Sequence, residues 1–376
     1  MRKIEMVDLR GQYQNIKSEI DAEIQSVIDS AAFVKGGKVV EFQKKLENYF
    51  GFRNVIPVGN GTDALMVSLM ALDLKPEDEV VVPDFTFIAA AEVVSLLGLK
   101  LVLADVDKET FCMTGDTLKK ALSPRTKAVV PVHLFGQNAD MESIMQIAKS
   151  NGLYVVEDAC QSIASKYRFS NGEEKVSGAI GNIGCTSFFP SKNLGCYGDG
   201  GAVFTNDDEL AEKIRCLANH GMKVRYHNEK VGINSRLDSI QAAVLSVKLN
   251  HFDSYLKSRE KAAKYYLEHL KDVQQLILPK KSANSDHTWH QFTVRVKDGR
   301  RDALQQYLKS KEITSMIYYP IPIHQQEAYR MARIADGGLA NSEQLCKEVL
   351  SLPMHTELDE EQLAYIVENI KEFFGK

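Results

Sequence analysis

Five short apolar runs constrain this chain more than any other feature. They are "NVIPV", "EVVVP", "KLVLADV", "KAVVPV" and "YVVED", spread over residues 54–158. None alternates apolar with polar residues, so none reads as a strand with one solvated face. Such runs are expected of strands covered by helices on both faces. Between them "GTDALMVSLMAL", "TFIAAAEVVSLLG" and "DMESIMQIAKSNG" read as helices, with a short helix near Asp116. Repeated strand–helix units predict an α/β fold with a mostly parallel, doubly wound sheet. "CTSFFP" and "GAVFT" add two strands.

The flanking segments read differently. Ile16, Ile20, Ile24, Val27 and Ile28 carry helical spacing, and a second helix runs from Val39 to Phe50, closed by Gly51. From Arg236 a long helix follows Leu237, Ile240, Val244 and Val247, with a break near Asn250, to about Leu270. Beyond it, strands at "HQFTVRV" and "ITSMIYY" and helices at 301–310, 342–350 and 360–374 predict a smaller α/β domain. A cluster of Lys, Pro, Ser and Asn places the linker near 271–286. The expected division is a large domain over 1–270 and a small one over 271–376, which suits a chain of 376 residues. No self-similar period argues for a solenoid.

Composition narrows the function. With 44% hydrophobic and 26% charged residues the chain is globular rather than disordered. The net charge of -4 and the scattered Lys and Arg residues give no reason to expect a nucleic-acid partner. The six cysteines contain no Cys-x-x-Cys, so neither a zinc knuckle nor a redox pair is indicated and no metal is expected. Their wide spacing favours reduced thiols and a cytoplasmic protein. The start, "MRKIEMVDLRGQYQ", lacks the apolar stretch of a secretory signal. The most apolar region, around 85–104, is interrupted by Glu92 and Lys100 and is too short to span a bilayer.

Three local patterns carry chemistry. Gly59, Gly61 and Ala64 fit G-x-G-x-x-A at a strand-to-helix turn, with Asp84 about 20 residues on. That pattern serves a dinucleotide, or a single phosphate held by the helix start and the Thr62 hydroxyl; equally, Thr62 or Asp63 could simply cap the helix. Asp158 ends the apolar strand "YVVED", where open α/β sheets place ligands. Buried there it needs a positive partner, either a distant Arg or Lys or a protonated ring nitrogen of a ligand. Lys192 stands between an apolar run and a glycine cluster in "IGCTSFFPSKNLGCYGDGG". A lysine among small polar residues is ordinarily a solvated charge, but an enclosed one has a lowered pKa and becomes a nucleophile. A phosphate cradle, a strand-end carboxylate and an enclosed lysine, in that order, are the equipment for pyridoxal phosphate.

"NGTDAL", "EDACQS", "SFFPSKNLGCYGDGGAVFTND" and "GINSRLDSIQAA" resemble the DegT/DnrJ/EryC1/StrS family of pyridoxal-phosphate-dependent nucleotide-sugar aminotransferases, over nearly the whole chain. The resemblance implies fold type I, a mostly parallel seven-stranded sheet with a smaller C-terminal domain. It implies Lys192 as the Schiff-base lysine, Asp158 at the pyridinium nitrogen and Gln161 at the ring hydroxyl. Phe87 would stack on the ring, or serve as ordinary helix-face core. Gly61, Thr62 and Ser187 would hold the phosphate, joined by Asn234 from the neighbouring subunit of a homodimer. Arg236, Tyr318, Tyr319 and His324 would meet the substrate, with a helix-start salt bridge open for Arg236 and a structural role for His324. "FFPSKNLGCYGDGGA" and "YYPIPIHQQ" resemble the branch acting on UDP-2-acetamido-3-keto-hexuronates in O-antigen and lipopolysaccharide pathways, with L-glutamate as donor. A neighbouring branch uses dTDP-3-keto-6-deoxyhexoses. Many relatives read His-Tyr-Pro where this chain has Tyr318-Tyr319-Pro320, which bears on the sugar contacts. Some relatives carry histidine at the lysine position and are dehydratases; Lys192 argues against that chemistry. An NAD-dependent oxidoreductase and a non-catalytic regulator on the same fold are the other classes open to this sequence.

Overall fold

The computed structural model describes residues 4–375, so Met1–Lys3 and Lys376 of the expected domains lie outside the described residues. In chain order the strands are β1 (Asn54–Val58), β2 (Glu79–Pro83), β3 (Lys100–Ala104), β4 (Thr126–Val129) and β5 (Tyr154–Asp158). A hairpin of β6 (Lys166–Arg168) and β7 (Glu174–Val176) precedes β8 (Ile183–Ser187) and β9 (Gly201–Thr205). A second hairpin pairs β10 (Met222–Val224) with β11 (His227–Asn228). The C-terminal part adds β12 (Leu276–Ile277), β13 (Phe292–Val296), β14 (Arg333–Ile334) and β15 (Val349–Leu352).

The main sheet has the order β1-β9-β8-β5-β4-β2-β3-β14. All its pairs are parallel except those of β9, which runs against both β1 and β8. Seven strands come from the expected large domain. The eighth, two-residue β14, comes from the C-terminal part and lies beside β3. Every residue of β2 and β9 is buried, as the unbroken apolar runs required. The helix Gly61–Ala71 covers one face with Ala64, Leu65, Val67 and Leu69. Two N-terminal helices, Lys17–Ser30 and Gly37–Phe50, pack on the helix Ser239–Asn250, which stops at His251 before Phe252–Leu270 begins.

A second core joins the antiparallel sheet β12-β13-β15 to Ala262, Tyr266 and Leu270 of the long helix and to Ile366 and Ile370 of Glu360–Phe373. Packing thus crosses residue 270, while Leu339, Leu345 and Val349 pack into the main core. Three local expectations change. "ITSMIYY" forms no strand; Ile313 and Met316 make isolated bridges to Ile4 and Ser351. The helix expected over 342–350 is Ala340–Glu348, and β15 begins at once. The segment 271–286 is not an open linker. Ser285 is fully buried, its hydroxyl accepting from the Asn138 N–H and Nδ2 and donating to Asp286 O, and Arg168 pairs with Asp286.

Candidate active site

β1, β5 and β8 run in one direction, so their carboxyl ends open on the same side of the sheet, where such folds bind ligands. After β1 the chain turns at Gly59–Asn60 into the helix Gly61–Ala71. Asn60 caps it, its side-chain oxygen accepting the Asp63 N–H at 2.8 Å. The first N–H groups of a helix have no partner within it and form an anion cradle. A Cβ on Gly61 would stand 2.7 Å from Ser187 Cβ and 3.1 Å from Cys160 Sγ, and one on Gly201 would stand 2.5 Å from the Asn60 carbonyl. Only glycine permits this approach of helix start to strand ends. It brings Gly61, Thr62 and Ser187 to one place.

Asp158 closes β5 and is buried. Its N–H donates to Pro131 O and its carbonyl accepts from the His133 N–H, both at 3.0 Å; Oδ1 accepts the Cys160 N–H at 3.1 Å. Next to it Glu157 is fully buried and satisfied: His133 Nε2 donates at 2.9 Å, and the N–H groups of Gly178, Ile180 and Gly181 donate at 2.6–2.9 Å. His133 Nδ1 accepts from the Ala139 N–H, which leaves the proton on Nε2. The end of β5 is therefore clamped from both sides.

Lys192 lies in the loop from β8 to β9, in a turn where its N–H donates to Phe189 O at 2.8 Å. Burial holds its pKa below the ordinary lysine value, opposed by Cys160 and Asp158. Burial also pushes the Cys160 thiol well up, with Asp158 adding to it. Gln161 spans the site: Oε1 accepts the Phe135 N–H at 2.9 Å, and Nε2 donates to the Tyr319 hydroxyl at 3.1 Å. Burial raises the Tyr319 pKa, which keeps the phenol protonated. Phe87 lies just ahead of the helix Ala89–Leu96 rather than on it. It is 55% exposed, its ring 6.2 Å from that of Tyr319, so it is not ordinary core.

His324 is anchored: its N–H and Nδ1 both meet Asp84 at 2.8 Å, and Nε2 lies 3.3 Å from Glu343. The same bonds occupy Asp84, which is wholly buried, so it presents no carboxylate for a ribose and the dinucleotide reading loses its acid. Arg236 lines a cleft of about 470 Å³ with Lys35, Arg215, Lys223 and Glu212. Asn234 is exposed beside it, in a bridge with Asn219. Tyr318 touches Tyr319, to which it is joined by a cis peptide bond. Cys160 and the buried pair Asn193–His290 near Lys192 are additions to the expected set. Cys160 stands in "EDACQS" but carried no sign beyond a reduced thiol; Asn193 and His290 are 97 residues apart, so no local pattern links them.

These donors fit pyridoxal phosphate: an open helix start for phosphate, a buried carboxylate for a positive ring nitrogen, and an amine of lowered pKa for the carbonyl. Such a site on a mostly parallel sheet defines a fold-type-I pyridoxal-phosphate transferase. The chain belongs to the DegT/DnrJ/EryC1/StrS aminotransferase family, which it matches over residues 14–371, and pyridoxal phosphate is that family's cofactor.

Three relatives illustrate the range of names. A UDP-N-acetyl-3-dehydro-α-D-glucosamine 3-aminotransferase of Acidithiobacillus ferrooxidans is 44% identical over 98% of this chain and 97% of its own. A UDP-2-acetamido-2-deoxy-3-oxo-D-glucuronate aminotransferase of Pseudomonas aeruginosa is 43% identical, covering 95% and 96%. A protein of Geobacillus stearothermophilus named as a pleiotropic regulatory protein is also 43% identical, covering 99% and 98%. Among solved structures, a family aminotransferase from Brucella abortus superposes with a TM-score of 0.94 at 41% identity, covering 99% of this chain and 100% of that one. Among the described residues no helix is long and apolar enough to cross a membrane, and no group of His, Cys, Asp and Glu could hold a metal.

Proposed function

We propose that this transaminase moves the amino group of L-glutamate to the 3-keto carbon of a UDP-linked sugar. UDP-2-acetamido-2-deoxy-3-keto-glucuronate is the favoured substrate, within O-antigen and lipopolysaccharide sugar synthesis. The observation that carries the transaminase reading is the Lys192 amine, its pKa lowered by burial beside Asp158 at the strand ends. Bound pyridoxal phosphate supplies an electron sink for charge left at the substrate carbon. The protein supplies the rest. Gly61, Thr62 and Ser187 bind phosphate, and Asp158 holds a ring nitrogen in its positive form. Gln161, fixed by Phe135 and Tyr319, orients the ring edge. Lys192, neutral more often than an exposed lysine, would take the proton from the donor's α-carbon and deliver it to C4′ of the cofactor, a positioned transfer worth roughly 10²–10⁴-fold. Phe87 offers an exposed face for stacking.

Asn234 is exposed and Arg236 lines an open cleft, which supports a homodimer in which each subunit completes its partner's site. The six unpaired cysteines suit a reducing, cytoplasmic setting. Relatives of similar identity are named for neutral and acidic UDP sugars, and Tyr318 departs from the common histidine, so the acceptor sugar is what an assay must decide. The test is an assay with glutamate and three acceptors side by side: UDP-3-keto-N-acetylglucosaminuronate, UDP-3-keto-N-acetylglucosamine and dTDP-3-keto-6-deoxyglucose. Highest kcat/KM on the uronate supports the proposal; preference for the dTDP sugar replaces it with the neighbouring branch. The regulator reading takes its support from the name of the Geobacillus relative. It predicts no conversion of bound cofactor to the pyridoxamine form when glutamate is added.

A further inference from the structure

The residue after Lys192 is tied to a distant part of the chain. Asn193 is buried, and its Nδ2 donates to Thr288 O at 2.9 Å. Its Oδ1 faces His290 Nδ1 at 3.3 Å. A carboxamide oxygen only accepts, so His290 carries its proton on Nδ1. His290 is itself buried. Burial pushes its pKa well down, and the positive charges of Lys192 and Arg259 and the neighbouring His287 push the same way, so the ring stays neutral.

The segment bearing His290 is rigidly backed. Arg259, buried and without an acidic partner among the described residues, donates from Nη1 to Trp289 O at 3.0 Å, His290 O at 3.3 Å and Met354 O at 3.1 Å. Thr288 N–H donates to Gly136 O at 2.8 Å and Gln291 N–H to Phe135 O at 3.2 Å. Phe135 is the residue that holds Gln161. One segment, Thr288–Gln291, therefore grips the lysine turn on one side and the Gln161 support on the other.

We propose that His290 and Asn193 are positioning residues: the neutral His290 Nδ1–H holds the Asn193 side chain, and through it keeps the Lys192 amine turned into the site and shielded from water. This rests on the transaminase reading. The groups facing Lys192 are then Asp158 from β5, Cys160 from the following loop and the neutral His290 from the C-terminal part. A cationic ring at position 290 would repel a charged lysine; a missing donor would free Asn193 and let water reach the amine.

The test uses the full chain freed of cofactor. The rate of pyridoxal phosphate uptake is followed against pH by the visible absorbance of the bound form, in wild type, Lys192→Ala, His290→Leu and His290→Gln. Uptake needs the free amine, so its inflection reports the Lys192 pKa. In His290→Leu the inflection is expected to rise by about one unit, slowing uptake at neutral pH about tenfold. In turnover, kcat should fall with KM for the sugar little changed. Glutamine, whose side-chain N–H can donate to Asn193, should restore both. A folded His290→Leu with the wild-type profile overturns the proposal, as does a glutamine variant no better than leucine. Where His290→Leu fails to fold, Asn193→Ala takes its place: a raised inflection supports the proposal, and the wild-type profile overturns it. A wild type that forms no absorbance absent from Lys192→Ala overturns the transaminase reading, and the proposal with it.

Discussion

At the scale of single residues the outcome turns on charge taken out of water. A lysine and an aspartate held near one another inside a protein are costly unless each serves the other or a ligand. Lys192→Ala is expected to abolish turnover, with an unfolding midpoint close to wild type, because its loss removes a half-buried amine rather than core. Multiple turnovers by the pure variant would remove Lys192 from its assigned role. Asp158→Asn should lose most activity with the fold intact, since a carboxamide cannot hold a ring nitrogen in its positive form. Both residues were legible in the sequence, because their types stand out against their surroundings. The partner of His324 was not: the structural role left open for it gave no sign that Asp84, 240 residues away, takes both its N–H and its ring nitrogen. Cys160 was invisible as a site residue for a like reason, since only the fold brings it against Gly61 and Lys192.

At the scale of elements, the junction of helix and strand makes a sharp prediction. Gly61→Ala places a methyl 2.7 Å from Ser187 Cβ, an atom fixed to the strand β8 that cannot swing away. Cofactor affinity should fall while thermal stability without cofactor changes less. Isothermal titration of the cofactor-free protein checks this, and unchanged affinity would refute the cradle. A second prediction concerns Lys248 on the helix Ser239–Asn250. It is almost wholly buried, its Nζ lacks a hydrogen-bond partner and lies 4.5 Å from the centre of the Tyr197 ring. Burial lowers its pKa to about 8. The unfolded chain binds this proton up to about 10.5, so between the two values it holds more protons than the native state, and stability rises with pH. The penalty is full below pH 8 and fades through that window. Lys248→Met should therefore stabilise the protein by up to about 3 kcal/mol near pH 7, with the gain shrinking as pH rises through the window. Urea unfolding at several pH values measures it; a gain independent of pH would mean the lysine holds its proton as firmly in the native state as in the unfolded chain. Helices and strands with strong periods were readable locally. "ITSMIYY" was misread because its β-branched and aromatic residues satisfy a strand's preference while its neighbours offer only two bridges.

At the scale of the whole molecule, two sets of expected site residues separate. Asp158, Gln161, Ser187, Lys192 and Tyr319 converge in one chain, whereas Arg236 lines an open cleft and Asn234 is exposed beside it. The proposed sharing of sites in a homodimer makes a quantitative prediction. Mixing Lys192→Ala with Asn234→Ala subunits, each inactive alone, should restore about a quarter of wild-type activity. Half of randomly paired dimers are then mixed, and each carries one intact site. No recovery after verified subunit exchange would place the whole site in one chain.

What the sequence determined by itself was local: which runs are doubly covered strands, where helices stop, and which lysine and aspartate are out of place on a surface. Those follow from side-chain period and from the cost of burying charge, both readable over a few residues. Only the tertiary structure decided which distant groups meet. It added β14 to the sheet, closed 271–286 onto the large core, gave His324 to Asp84 and set His290 behind Lys192. Such pairings arise because buried donors and acceptors must find partners, and the partner is chosen by the fold's geometry rather than by nearness along the chain.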